Sequence, residues 1–360
     1  MNYKFAVFPG RFQFFHNGHF NLAHQGLKIA EKLIISVGSV KRACTIENPL
    51  DYERRVDMIS SAFTKEERKR IEFIPIRDYY YNDNRWLGEV QQKTSEFISE
   101  GNATCLLAVY KDAKSSWNTA FPQWDRSSPK DILKINATDI RTEIFELGLK
   151  PELRNQGLEK WEITNPAWHG LLPEPVTKWV KQNFIGSERH EYLIEEYQSI
   201  KAYKGKWSTA PFVPSFLTAD AVVFKSGHVL LVKRKFAPGK GLWALPGGFV
   251  NPTETARAAA LRELKEETGI RVDKEILDAA ITMKEEFDYP YRSLRGRTFT
   301  MAYKIDLGMG SLPEVRGSDD ADRAFWVPYV DIYENSHQFF DDHFDIIDFF
   351  TASGRKQKLF

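Results

Sequence analysis

The sequence predicts two α/β domains in series, and three observations lead there. From Lys4 to Tyr110 short apolar strands alternate with helical stretches, which implies a parallel sheet with helices on both faces. After the proline-punctuated stretch Trp207–Pro214 a second set of strands begins, and it brackets one helix rich in carboxylates. At 360 residues the chain has room for two domains of ordinary size.

Composition narrows the function classes. Hydrophobic residues at 42% and charged ones at 28% describe a globular protein rather than a disordered or fibrous one. A formal net charge of +1 gives no broad attraction to nucleic acid or to an anionic membrane surface. The two cysteines, Cys44 and Cys105, are too few for a disulfide framework or a cysteine zinc site. No apolar run approaches the ~20 residues that span a bilayer. The start, MNYKFAVFPGRF, lacks the pattern of a signal peptide, so a cytoplasmic protein is expected.

The elements follow in order. Lys4–Phe8 reads as a strand that ends at Pro9-Gly10. A helix is expected from Gly18 to Lys32, because Phe20, Ala23, Leu27 and Ala30 fall near one face. Then come a strand at Leu33–Gly38, a helix at Tyr52–Phe63, a strand at Ile71–Ile76, a helix at Trp86–Ile98 and a strand at Thr104–Tyr110. A helix at Thr177–Phe184 precedes a connector helix at Ser187–Tyr203. These place a first domain at 1–186, a helical linker at 187–206 and a second domain at 207–360. In the second, strands are expected at Leu217–Phe224, His228–Lys235, Ile281–Phe287, Thr298–Ile305 and Ala324–Val327. Phe339–Ile347 reads as a closing amphipathic helix, its acids on a solvated face in preference to a second metal site.

In a parallel α/β sheet the ligand crevice lies at the carboxyl ends of the strands, near a switch in strand order. That singles out the loop after the first strand, Gly10 to His19 (GRFQFFHNGH). Gly10 permits close backbone approach, and Arg11 offers a planar donor for phosphate. His16 and His19 stand three apart at a helix start, where N–H groups and the helix dipole already favour an anion. Two imidazoles there suit a phosphate whose charge builds up during transfer. A lone histidine would more often be structural; a pair flanking Gly18 behind a Pro-Gly-Arg turn is harder to set aside.

The second candidate site is Gly247–Ile270, GGFVNPTETARAAALRELKEETGI. On a helix Glu263, Glu266 and Glu267 occupy i, i+3 and i+4 and share a face, while Leu261 and Leu264 fall roughly opposite. Arg262 sits one turn before Glu266, and Gly269 stands where a left-handed residue ends a helix. A charged surface helix explains the glutamates but not the Gly-Gly turn, the spaced Glu254 or the glycine cap. Crowded carboxylates repel unless a hard cation sits among them, and Mg2+, with Mn2+ as a substitute, suits such oxygens and substrate phosphates.

Both stretches carry a resemblance. Gly247–Ile270 resembles a complete Nudix box, which implies an α/β/α sandwich and hydrolysis of nucleoside diphosphates linked to another moiety. The first loop resembles that of the Rossmann-like HxGH nucleotidylyltransferases. Asn48–Arg54 resembles the Asn-Pro-Phe region of that family, and Ile135–Arg141 its late ISxTxxR motif, with Asn136 for Ser. Phe14 stands where a proline is common. Asn82 and Trp86 resemble the nicotinamide-recognising pair of the nicotinamide mononucleotide adenylyltransferases. With GKGLWALPGGF (Gly239–Phe249), Arg292–Tyr303 and Gly317–Pro328 included, residues 1 to 350 resemble the bifunctional nicotinamide mononucleotide adenylyltransferase/Nudix hydrolases.

That resemblance implies catalytic roles for His16, His19, Glu263 and Glu267, and a metal held by Glu263, Glu266 and Glu267. It implies ATP and nucleotide binding by Phe8, Gly10, Arg11, Asn82, Trp86, Thr138 and Arg141. Lys111, Asp112, Ser115 and Ser116 follow a strand and are lower-ranked candidates to line the same site. The implied reactions are NAD formation from ATP and nicotinamide mononucleotide, and Mg2+-dependent hydrolysis of ADP-ribose. Read bland, Trp86 is a core aromatic, Thr138 a helix cap and Arg141 a surface charge. Another phosphate acceptor, a Nudix domain for NADH or a sugar nucleotide, and a non-catalytic ADP-ribose sensor remain alternatives. The Nudix general base is a box glutamate or one of Glu285 and Glu286. The oligomeric state stays open, a homo-oligomer included.

Overall fold

A computed structural model describes residues 2–107, 117, 120–128, 133–150, 166–318 and 320–352. The chain divides into two compact units, Met1–Ile194 and, from Glu195, the remainder to Lys358. The division falls within one helix, Glu188–Gly205.

The first unit runs β1 (Tyr3–Gly10), α1 (Asn17–Ile29), β2 (Ala30–Val37), α2 (Tyr52–Ser61), β3 (Ile71–Pro75), α3 (Asp83–Ser95), β4 (Thr104–Leu107), β5 (Asp125–Ser127), α4 (Ala137–Gly148) and α5 (Glu174–Asn183). Its sheet has the order β3-β2-β1-β4-β5, with every pairing parallel. The chain steps outward from β1 through β2 to β3, then crosses back to β4, so the switch in strand order lies at β1. The carboxyl end of β1 is Gly10, which is where the loop Gly10–His19 begins. Helix α1 ends at Ile29, not at Lys32, because Ala30 and Lys32 are already paired with Tyr3 and Phe5 of β1. Of the expected strand Thr104–Tyr110, residues 108–110 lie outside the described residues, as do Lys111, Asp112, Ser115 and Ser116.

The helix Glu188–Gly205 is α6. The second unit continues with β6 (Ser215–Lys225), β7 (His228–Arg234), β8 (Trp243–Ala244), β9 (Gly247–Phe249), α7 (Ala256–Thr268), α8 (Lys274–Ala279), β10 (Ile281–Phe287), β11 (Arg297–Asp306), β12 (Ala321–Pro328) and α9 (His343–Ala352). Its sheet is mixed, in the order β10-β11-β6-β7-β12, with β8 on β7 and β9 on β6. Only β6 and β11 pair in parallel among these strands. Ala219, Ala221 and Val223 of β6 alternate onto the face covered by α7, where Ala259, Ala260, Leu261 and Leu264 are buried. Phe349 and Phe350 of α9 close against Phe287 of β10, with ring centroids 5.2 and 5.9 Å away.

The closing helix needs correction on two counts. It starts at His343 rather than Phe339, since the Phe340 N–H donates to the Trp243 carbonyl at 2.8 Å and Asp341 takes a left-handed φ of 44°. Its acids do not form a solvated face: Asp342, Asp345 and Asp348 are all buried. Asp342 accepts both arms of a buried fork from Arg292, at 2.9 and 2.7 Å, which is what makes its burial tolerable. Among the described residues, no helix is long and apolar enough to cross a membrane.

Candidate active sites

The first site grows from the turn at the end of β1. Phe12 takes a left-handed φ of 53° and folds its ring back over Gly10, where an added Cβ would lie 2.7 Å from the ring. Gly10 therefore clears the way for Phe12 as well as for a ligand. The rings of Phe8, Phe12 and Phe15 surround His19, with centroids 6.0, 5.0 and 5.6 Å away. Phe8 is buried, so its side chain supports His19 rather than lining an open surface.

His16 caps α1 by accepting from the His19 N–H at 3.3 Å, and the His16 N–H faces His19 Nδ1 at 3.4 Å. The two rings stack at 3.6 Å. Burial, then the neighbouring His16, hold the His19 imidazole well below its usual pKa, outweighing the Phe14 backbone that favours its charged form. At neutral pH His19 is thus a neutral hydrogen-bonding group, and the positive charge at the site comes from arginines.

Arg141 is the buried one of these. It donates to the Gln13 carbonyl and, at 3.1 Å, to the Thr138 hydroxyl. Burial lowers its pKa to about 10, and the charge of Arg11 adds to that fall. The surface-charge reading of Arg141 therefore fails, and the cap of α4 is Asn136, which accepts from the Thr138 N–H at 3.0 Å. Two guanidiniums that repel each other beside the histidine loop make a place for an anion.

Sequence reasoning missed the braces. Gln13 is buried and clamps the Leu50 backbone, donating to its carbonyl at 2.7 Å and accepting from its N–H at 2.9 Å. Arg55 is fully buried and donates to the carbonyls of Arg11 and Gly38 at 2.8 and 2.6 Å. A charged residue on the inner face of α2 was the only available sign of it.

Asn82 caps α3 by accepting from the Arg85 N–H at 3.0 Å. Trp86 is half-buried, packs on the Val7, Ile34 and Ile74 cluster and meets Trp117 edge-on at 5.5 Å. Both residues thus have structural work, Trp86 as a half-buried aromatic packed against the core.

The second site is a cleft of about 250 Å³ lined by Asp220, Gly247, Gly248, Glu263, Glu267 and Asp341, with arginines around them. The Gly-Gly turn is needed for contact. An added Cβ on Gly247 would lie 2.2 Å from Asp220 Oδ1, and one on Gly248 would lie 2.4 Å from Glu263 Oε1. Gly269 closes α7 with φ 52°, as a glycine cap should.

Arg262 is the hub of the box. It reaches Glu254 at 3.1 and 2.7 Å, Glu263 at 2.9 Å and Glu266 at 2.8 Å. Glu267 instead turns inward, accepting from the Gly247 N–H at 3.0 Å. Burial raises its pKa to about 8, with the charges of Glu263 and Asp220 adding to the rise. As the side chains stand, no three His, Cys, Asp or Glu groups among the described residues converge on one point. The donor set nevertheless fits a hard divalent cation: Glu263, Glu267, Asp220 and Asp341 bring carboxylate oxygens to one cleft.

Asp220, Arg292, Asp342 and His343 are further cleft or near-cleft groups to which the sequence reading gave no role at this site. Asp220 accepts from the Thr300 hydroxyl at 2.5 Å, and burial raises its pKa to about 6. His343 accepts from the Leu245 N–H at 2.8 Å, and burial lowers its pKa to about 3. Glu285 and Glu286 lie on β10 and are not among the residues lining the cleft.

Known proteins share both halves. A family model for cytidylyltransferase-like proteins matches residues 7–145, and one for the NUDIX domain matches residues 214–349. The crystal structure of a bifunctional NMN adenylyltransferase/ADP ribose pyrophosphatase from Francisella tularensis is 30% identical, with TM-score 0.87, over 98% of this chain and 99% of that one. The chain belongs to that bifunctional family. A second structure of that description, complexed with AMP and a manganese ion, superposes with TM-score 0.85 at 30% identity over 97% of this chain and 99% of that one. Among curated relatives, the nicotinamide/nicotinic acid mononucleotide adenylyltransferase of Acinetobacter baylyi is 33% identical over 40% of this chain and 78% of its own length. The ADP-ribose pyrophosphatase of Methanocaldococcus jannaschii is 35% identical over 39% of this chain and 75% of its own length. Membership of the bifunctional family accounts for two unlike candidate sites on one chain.

Proposed function

We propose that the first unit transfers an adenylyl group from ATP to nicotinamide mononucleotide, giving NAD and pyrophosphate. The second unit hydrolyses ADP-ribose to AMP and ribose 5-phosphate. The observation that carries this reading is that both sites occur on one chain that is similar over nearly its whole length to the Francisella protein.

In the first unit the acceptor phosphate is already anionic at neutral pH, so attack on the α-phosphorus needs no base from the protein. The chain's part is positioning and charge stabilisation. Arg11 and Arg141 would hold the triphosphate, with Thr138 fixing Arg141 in the plane it needs. His16 and His19 would hydrogen-bond the ATP phosphates, His19 nearest the α-phosphate. A bound triphosphate favours the charged imidazole, opposite in sign to the burial that keeps His19 neutral. Trp86 would offer its exposed part to the pyridine ring, and Asn82 would fix the start of the helix that carries it.

In the second unit Glu263, Glu266 and Glu267 would hold Mg2+, which supplies charge neutralisation at the diphosphate and a nucleophilic water. Manganese is the ion named for the relative's AMP complex. Arg262 keeps three of the box carboxylates gathered, and the Gly247 N–H aims the fourth. The carboxylates that line the cleft, and so can take the water's proton, include Glu263, Glu267, Asp220 and Asp341. Glu285 and Glu286 stand outside its lining, which favours a box glutamate over either of them.

The test is product identification. Incubation with ATP, Mg2+ and nicotinamide mononucleotide should yield NAD and pyrophosphate, and incubation with ADP-ribose and Mg2+ should yield AMP and ribose 5-phosphate. Turnover of a different acceptor in place of the mononucleotide, or binding of ADP-ribose without cleavage, would contradict it.

A further inference from the structure

One buried carboxylate behind the second cleft has no part in the chemistry proposed above. Glu196 stands on α6, within the second unit, and is only 5% exposed. It is not among the residues that line the cleft. The stretch 187–206 reads from the sequence as a linker, and a linker does not need a buried glutamate. Burying a carboxylate is costly unless donors or a cation answer it, so the groups that answer this one show what it holds.

They converge on a single turn. Glu196 Oε2 accepts from the Gly239 N–H at 2.6 Å, while Oε1 is buried with no hydrogen-bond partner among the described residues. Burial raises the Glu196 pKa, and the Gly239 and Lys240 N–H groups and the charge of Arg234 work against that rise. The turn joins β7 to β8 and is tightly tied. The Gly241 N–H donates to the Arg234 carbonyl at 2.9 Å, the Leu242 N–H to the Gly239 carbonyl at 3.0 Å, and Arg234 Nε to the Pro238 carbonyl at 3.0 Å. Gly239 has a φ of 81°, and a Cβ there would lie 2.3 Å from the Phe340 ring, so the turn packs directly on that ring. The Arg234 guanidinium stands 4.1 Å from the centroid of the same ring. Arg234 and Phe340 both line the cleft. A shift of the Gly239 backbone therefore reaches two lining side chains through contacts too close to absorb it.

We propose that Glu196 is a positioning residue of the second cleft: from α6 it anchors the Gly239 turn and so fixes Arg234 and Phe340 in the wall against which substrate binds. This rests on the hydrolase reading of the same cleft. Glu196 touches neither the substrate nor the reacting atoms, so its loss acts on binding and leaves the chemical step in place. The segment that reads as a linker thus supplies a working part of the hydrolase.

The experiment uses the full chain. Wild type is first assayed for ADP-ribose hydrolysis, which tests the hydrolase reading alone. Glu196→Ala, Glu196→Asp and Glu196→Gln are then compared. Alanine removes the acceptor, aspartate keeps the charge but falls one methylene short of Gly239, and glutamine keeps both reach and acceptor. The anchor predicts that alanine and aspartate raise the KM for ADP-ribose by about tenfold with kcat within about threefold, and that glutamine restores KM to within about threefold of wild type. NAD formation should stay within about twofold in all three. Hydrogen exchange at the Gly239 and Lys240 amides should be faster in the alanine and aspartate variants and not in the glutamine one. A merely structural role would instead lower kcat and melting temperature together and leave KM alone. That pattern, a KM within about twofold of wild type in the alanine and aspartate variants, or a glutamine variant as impaired as alanine, would overturn the anchor. Should Glu196→Ala unfold, aspartate against glutamine decides. Absence of wild-type hydrolysis would overturn the hydrolase reading; exchange at the turn then decides the anchor, which falls if the aspartate variant exchanges like wild type.

Discussion

The two sites meet the same kind of ligand, a nucleotide with linked phosphates, with opposite electrostatics. The loop after β1 presents two stacked imidazoles, that of His19 neutral, and the cations Arg11 and Arg141. The cleft beside α7 presents Glu263, Glu267 and Asp220, and burial, with the neighbouring carboxylates adding to it, raises the Glu267 pKa to about 8. In the first the chain itself carries the charge that a phosphate needs. In the second it carries the charge that a cation needs, and the cation then meets the phosphate. The difference follows from the reactions: an anionic acceptor arrives as its own nucleophile, whereas hydrolysis has to make one from water.

That contrast can be broken most forcefully at Glu267. Glu267→Gln removes the carboxylate proposed to hold the metal and should lower ADP-ribose hydrolysis by about 10²- to 10⁴-fold, read as initial rates at saturating Mg2+. A loss smaller than tenfold would take Glu267 out of the chemistry. His19→Ala should lower NAD formation by about 10²- to 10³-fold, the scale of one lost transition-state donor. Because burial keeps His19 neutral before ATP binds, kcat/KM for ATP should show no inflection at the ordinary histidine pKa. Arg141→Lys keeps the charge but not the fork to Gln13 and Thr138, so the KM for ATP should rise by about tenfold.

A smaller effect sharpens the acidic side. The Glu267 pKa is raised on folding, so the stability that its protonated form allows is full below the ordinary carboxylate range and is lost as pH rises through about 8. Melting temperature in a chelator should therefore fall across that window, and Glu267→Gln should flatten the slope. Affinity for Mg2+ should rise over the same range, since binding displaces the proton. A melting temperature that rises with pH there, in wild type but not in the variant, would contradict the assigned burial of Glu267.

Legibility differed between the two halves of each site. The residues that face ligand sit in short contiguous runs, Gly10–His19 and Gly247–Ile270, where spacing alone places them on one turn or one helix face. Their braces do not. Gln13 acts on Leu50, 37 positions away, and Arg292 on Asp342, 50 positions away, so neither partner is visible in a local pattern. Asp220 did leave a trace, as the one acid in the apolar strand Ala219–Val223, and Thr300 opposite it is the reason that it is tolerated. The closing helix misled because an alternation of acids and aromatics reads as amphipathic, whereas pairing with Arg292 lets Asp342 turn inward. The two sheets were legible in class from strand alternation, but the parallel pairing of β6 with β11 joins segments far apart in sequence.

The most direct test of two separate sites on one chain is a crossed assay. Glu267→Gln and His19→Ala, each as the full-length protein, are measured for both reactions in the same preparations. The account predicts that Glu267→Gln keeps NAD formation within about twofold of wild type while losing hydrolysis, and that His19→Ala does the reverse. A single substitution that removes both activities from a protein that still melts like wild type would contradict it.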